Sequence, residues 1–86
     1  MNRFIGMIVK SEAGRDKGTF HVAVGADDRC VYICDGKERK LEKPKRKNVK
    51  HISPTEIRIE LSEMTNRKLR RLITEFKTQN SGKADR

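Results

Sequence analysis

The residues of this 86-residue chain with the most evident chemistry are cationic. Lys37, Arg39, Lys40, Lys43, Lys45, Arg46, Lys47 and Lys50 crowd into one short segment, and Gly36 to Lys50 holds eight basic residues against two acidic ones. Ammonium and guanidinium groups at that density can neutralise successive phosphates of a polyanion, and the binding weakens with salt because condensed counterions are released. If about five of them each meet a phosphate, log K falls with log[salt] at a slope of roughly −3.5 to −4.5. Arg15 and Lys17 stand in Gly14-Arg15-Asp16-Lys17-Gly18. A loop of that kind projects its side chains, and its backbone N–H groups can also face a phosphate. Arg67, Lys68, Arg70 and Arg71 form a further basic group available for supplementary contact.

Other chemistries find little support. His21 and His51 have no Ser or Cys near them in a nucleophile signature. Cys30 and Cys34 lie along one extended run, Cys-Val-Tyr-Ile-Cys, which at about 3.3 Å per residue sets their Cα atoms roughly 13 Å apart. An intrachain disulfide tolerates about 7 Å, and zinc needs sulfurs that converge on one ion. The glycine loop is not a nucleotide-triphosphate loop, which has four residues between its glycines and Lys-Ser/Thr after the second. The chain therefore reads as a binding protein without catalytic residues, metal, cofactor or small-molecule substrate.

The elements that must carry these cations follow from period and punctuation. Phe4–Lys10, Thr19–Val24 and Arg29–Cys34 read as three strands separated by glycine-bearing turns. In the second, Phe20, Val22 and Val24 alternate with His21 and Ala23. Asp35-Gly36 is a two-residue hairpin signal that predicts a fourth strand over Glu38–Leu41. Pro44 has no N–H to donate to a ladder, so Lys43–Lys47 reads as an exposed loop. Val49–Ile52 is expected as a short strand, and Ile57, Ile59 and Leu61 as a further extended segment. From Thr65, a reasonable N-cap, Leu69, Leu72, Ile73 and Phe76 fall at i, i+3, i+4, i+7, the stripe of an amphipathic helix. Short strands, tight turns and one terminal helix in a chain this small predict a mainly β fold, a small SH3-like barrel with one C-terminal helix. Its parts are residues 1–62 for the barrel, with the basic hairpin and loop at 36–50, residues 63–79 for the helix and residues 80–86 for a flexible tail.

Charge is distributed to match. Met1–Asp35 balances five basic residues with five acidic ones, so the net charge of +9 comes from Gly36–Lys50 and from Thr65–Lys77. Such an excess favours polyanionic partners. The four-residue apolar stripe without Trp is a weak membrane anchor, so no membrane partner is expected. The apolar run near the start is closed by Lys10 and is too short for a signal peptide. Together with the unpaired cysteines this gives the expectation of a cytoplasmic protein.

Gly6, Ile8 and Val9, then Gly14 and Lys17-Gly18, resemble a KOW motif, a strand-loop-strand unit with a glycine in its loop. The longer string through Asp35-Gly36-Lys37 to Lys40-Leu41-Glu42-Lys43-Pro44-Lys45 resembles large-subunit ribosomal proteins of the "L fourteen e" type and their small bacterial KOW-domain relatives, over residues 4 to 52. That resemblance implies an SH3-like barrel that binds structured RNA, usually ribosomal RNA or a ribosome-associated particle, in the service of translation. Arg15, Lys17 and the Lys37–Lys50 cluster would then contact phosphates, with Gly14, Gly18 and Gly36 shaping the loops. Few aromatic residues are available for stacking, so shape and backbone recognition is expected rather than base reading. Two other partners fit the same residues. A protein of the transcription or translation machinery could dock on the barrel's apolar flank or on an exposed helix stripe, and charge alone would serve a nonspecific polyanion or DNA binder.

Overall fold

A computed structural model describes residues 3–84. Five strands, β1 (Met7–Ser11), β2 (Phe20–Ala26), β3 (Cys30–Cys34), β4 (Lys45–Asn48) and β5 (Ile52–Arg58), precede one helix, α1 (Asn66–Ala84). They form a single antiparallel sheet in the order β4-β3-β2-β1-β5. The first four strands are a meander, and β5 returns to the free side of β1. The sheet is not closed, since β4 and β5 are its two edges.

Alternation along the strands sends apolar residues to both faces, and both are buried. Ile8, Val22 and Cys34 form one cluster with Leu69 and Ile73 of α1. Phe20 and Phe76 extend it through an edge-to-face ring contact at 5.0 Å. Val9, Ala23, Val31, Ile33 and Ile52 form the second cluster on the opposite face. No helix covers that face, yet Val9, Ala23, Val31 and Ile33 are fully buried, so the sheet curls over them. Burying an aliphatic side chain such as Leu69 contributes about 2 kcal/mol before cavity effects. Half of the helix stripe is thus core, Leu69 being 0% and Ile73 4% exposed, and Phe76 packs against them. Thr65 Oγ1 accepts the Lys68 N–H and caps α1.

Several expectations are corrected between residues 35 and 58. No strand covers Glu38–Leu41. Asp35 Oδ1 instead accepts the N–H groups of Lys37, Glu38 and Arg39, at 2.9, 3.1 and 3.0 Å, and a side chain that satisfies three successive donors builds a turn. Lys43–Lys47 is not an exposed loop, because Lys45–Asn48 is β4 and pairs with β3. Pro44 stands just before the strand, where its missing N–H costs nothing. Val49–His51 is a 3₁₀ turn, capped by the Asn48 side chain accepting from the Lys50 N–H. β5 starts at Ile52 and runs through Pro54, as an edge strand allows. The helix is longer than 63–79, running from Asn66 to Ala84. Of the expected tail, Asp85 and Arg86 lie outside the described residues. Among the described residues no helix is long and apolar enough to cross a membrane.

Candidate nucleic-acid interface

The glycine loop between β1 and β2 is held from inside the molecule. Gly14 and Gly18 adopt φ of +85° and +89°, the left-handed region that glycine enters without strain. The Ser11 carbonyl accepts the Gly18 N–H at 2.7 Å and closes the loop at its base. At its centre, the Asp16 carboxylate accepts from Ser11 Oγ at 2.9 Å, from Lys47 Nζ at 2.7 Å and from Lys45 Nζ at 3.1 Å. Lys47 Nζ also donates to the Ala13 carbonyl at 2.7 Å. Burial works to raise the Asp16 pKa, but the hydrogen bonds from Lys47, Ser11 and Lys45 outweigh it and hold the carboxyl well below the ordinary carboxylate range.

β4 explains this arrangement. Lys45 and Lys47 stand opposite Ile33 and Val31 of β3, so strand alternation turns both toward the curled face of the sheet. An ammonium there must find an anion and acceptors, because an unpaired buried charge is expensive. Lys47 is 7% exposed and meets that demand through Asp16 and Ala13. Its placement corrects the expectation that it faces solvent for phosphate contact. Arg46, between them, points the other way toward Asp27 at 3.6 Å. The Asp27 carboxyl is lowered first by a hydrogen bond from the Tyr32 hydroxyl and further by the Arg46 charge.

The 35–39 turn sits against α1. Gly36 has φ +79°, and a Cβ there would overlap the Asn66 carbonyl oxygen. Asp-Gly is therefore not a two-residue hairpin: Asp35 supplies the acceptor, and Gly36 lets the turn approach the first turn of the helix. Asn66 completes the joint, accepting the Leu41 N–H at 2.8 Å and donating to Glu42 Oε1 at 2.7 Å.

Between the glycine loop, this turn and one side of α1 lies an open cleft of about 500 Å³. The loop contributes Arg15 and Asp16, the turn Asp35, Lys37, Glu38 and Arg39, β4 contributes Lys45, and the helix Arg70, Thr74 and Lys77. Six cationic side chains thus line it against three carboxylates. Lys45 is bonded to Asp16, which leaves five cations without a described carboxylate partner. His21 and Phe20, from the start of β2, also line the cleft. His21 is 3% exposed, and its Nε2 is 4.0 Å from Asp35 Oδ2. Burial lowers the His21 pKa, against the opposing charges of Asp35 and Asp16, so the imidazole is neutral near pH 7. Burial would raise the Asp35 carboxyl, but the backbone N–H groups of Arg39 and Lys37 lower it on balance.

The cleft gathers residues that sequence reasoning placed in three separate groups: Arg15, then Lys37, Arg39 and Lys45, then Arg70. Lys17, Lys40, Lys43 and Lys50 are exposed at other points of the surface. Arg67, Lys68 and Arg71 are exposed on other sides of α1, and the Lys68 ammonium bonds the Glu63 carbonyl. Lys77 was missed, although its position seven residues after Arg70 sets both on one helical face. Buried Cys30 and Cys34 are free thiols, and burial pushes the Cys34 thiol up to about 12. Leu69 and Ile73 of the helix stripe are buried against the sheet, and Leu72 and Phe76 are half-buried. No protein-family model matches the chain, and no curated protein matches it with significance.

Proposed function

We propose that this protein binds structured RNA, ribosomal RNA or a ribosome-associated particle, by neutralising phosphates along the cleft between the glycine loop, the 35–39 turn and α1. The observation that carries this reading is the convergence of Arg15, Lys37, Arg39, Arg70 and Lys77, from three elements, on one open cleft. A surface whose charges served solubility alone would disperse them. Two of these elements are fixed by interior contacts, the loop through Asp16 and the turn through Gly36 against Asn66. Cations presented on rigid elements lose less side-chain and loop entropy when they bind. We read the open sheet, with its four-strand meander, 3₁₀ turn and last strand returning to the first, as a variant of an SH3-like KOW barrel. On this reading the molecule works as a binding module in translation and performs no reaction.

Titration of the protein against a folded ribosomal RNA fragment at several salt concentrations tests the proposal, with duplex DNA and heparin as competitors. Five phosphate contacts give a slope of log K on log[salt] of about −3.5 to −4.5, with a preference for the folded RNA that persists near 0.15 M salt. Equal displacement by heparin and duplex DNA would replace this reading with nonspecific polyanion binding.

A further inference from the structure

Phosphate neutralisation uses the rim of the cleft and leaves its floor without a role. Asp35 lies there with its Oδ1 saturated by three backbone N–H groups. Its Oδ2 accepts no hydrogen bond from the described residues and has the neutral, buried His21 at 4.0 Å. His21 Nδ1 is likewise without a hydrogen-bond partner. A bare carboxylate oxygen repels the anion that the rim attracts. It suits an N–H donor, and a charged acceptor makes the stronger kind of hydrogen bond with one. The occupant that satisfies both parts of the cleft is anionic on one side and carries an amino group on the other.

We propose that the cleft admits one unpaired nucleotide of a bound RNA, an inference that rests on the RNA-binding reading and deepens it. The exocyclic amino group of adenine, guanine or cytosine donates to Asp35 Oδ2, while the adjoining phosphates meet Arg15, Arg39, Arg70 and Lys77. The volume of about 500 Å³ falls within the roughly 300–1,000 Å³ typical of small-ligand pockets. Uracil has no amino group and would turn carbonyl lone pairs toward the carboxylate, so the floor selects against it. Backbone recognition then supplies most of the affinity, and this one position reads a base, as unstacked nucleotides in loops and bulges permit.

Asp35→Asn separates the two possibilities by sign. Asparagine keeps Oδ1, and so the turn, but replaces the free acceptor with an NH₂ donor and removes a negative charge. The ¹⁵N-labelled full chain and this variant are titrated with single-stranded A₅, C₅ and U₅ and with the folded ribosomal RNA fragment. The wild type should bind A₅ and C₅ about threefold to tenfold tighter than U₅, with amide shifts centred on Thr19, His21, Lys37 and Thr74. The variant should lose or invert that preference. Equal binding of all three oligonucleotides by the wild type, with a uniform gain in the variant, would mean that only phosphate enters the cleft and would overturn the inference. Failure of the pentanucleotides to shift those amides overturns it as well. If folded RNA still binds in either of those cases, the RNA-binding reading survives alone; if folded RNA does not bind, both fall. The wild-type preference and its amide map decide the matter even if the variant fails to fold.

Discussion

Lys47 and Lys37 belong to the same basic segment and differ in almost every physical respect. Lys47 is buried in β4 and divided between the Asp16 carboxylate and the Ala13 carbonyl. Lys37 is exposed on the turn that lines the cleft, and its side chain has no described carboxylate partner. The first ammonium fastens the glycine loop to the sheet, and the second is free to meet an outside anion. A run of like charges therefore does not act as one patch. Strand alternation sends Lys45 and Lys47 inward and Arg46 outward, while the turn before them keeps its cations on the surface.

The largest expected effect follows from this division. Lys47→Met keeps the aliphatic stem but takes from Asp16 its closest cation, leaving it Lys45 and Ser11. Removing one partner of a buried pair costs about 3–5 kcal/mol when the other charge is left unpaired, and with Lys45 still in place the loss should fall below that range while lowering the urea midpoint clearly. Adding Asp16→Asn removes the under-compensated charge and should recover part of the loss. A double-mutant cycle measures that coupling. Additive effects would mean that the latch contributes nothing of its own.

This latch was the least legible part of the molecule. The helix was legible because Leu69, Leu72, Ile73 and Phe76 repeat at the helical period, and a covered face demands that repeat. The alternation of Phe20, Val22 and Val24 with His21 and Ala23 likewise placed β2, with the first set toward α1. β4 has no such signature. Its inward positions are lysines, which read as solvent-facing until the anion that receives them is known, and that anion stands 31 residues away from Lys47. Asp35-Gly36 misled for a related reason: both residues are turn formers, but the acceptor role of Asp35 and the contact of Gly36 with α1 depend on tertiary partners. The candidate cations were visible as types, whereas their sorting into latch, cleft and outer surface needed the fold.

The opposite end of the comparison is tested at the rim. Arg39→Ala, Arg70→Ala and Lys77→Ala together should leave the denaturation midpoint nearly unchanged, since exposed substitutions usually stay within about 0.5 kcal/mol each. The same triple variant should reduce the magnitude of the salt slope for folded RNA by roughly 2.1 to 2.7 and weaken binding of different sequences alike. An unchanged slope would remove the cleft from the interface.

Acid should loosen the latch without touching the rim. A carboxyl whose pKa is lowered on folding contributes stability above its unfolded value, and that contribution is lost as pH falls through the folded one. Asp16 begins from the ordinary 3.8 and is lowered by Lys47, Ser11 and Lys45. Its share of stability is therefore complete near neutrality and declines from about pH 4 downward. Urea midpoints measured between pH 7 and pH 2 should fall more steeply for the wild type than for Asp16→Asn. Parallel curves would show that other carboxylates, such as Asp35, carry the acid dependence.

The smallest effect belongs to Arg46, which lies in sequence between the two latch lysines and shares neither their burial nor a place in the cleft. Its side chain is 65% exposed, and its partner Asp27 is 3.6 Å away at the surface. An exposed, solvent-screened pair of this kind contributes little. Arg46→Ala should therefore move the urea midpoint by little and leave the salt slope for folded RNA unchanged. A marked loss of RNA affinity in this variant would show that the outer face of β4 belongs to the interface. The boundary drawn here between the cleft and the rest of the basic segment would then lie in the wrong place.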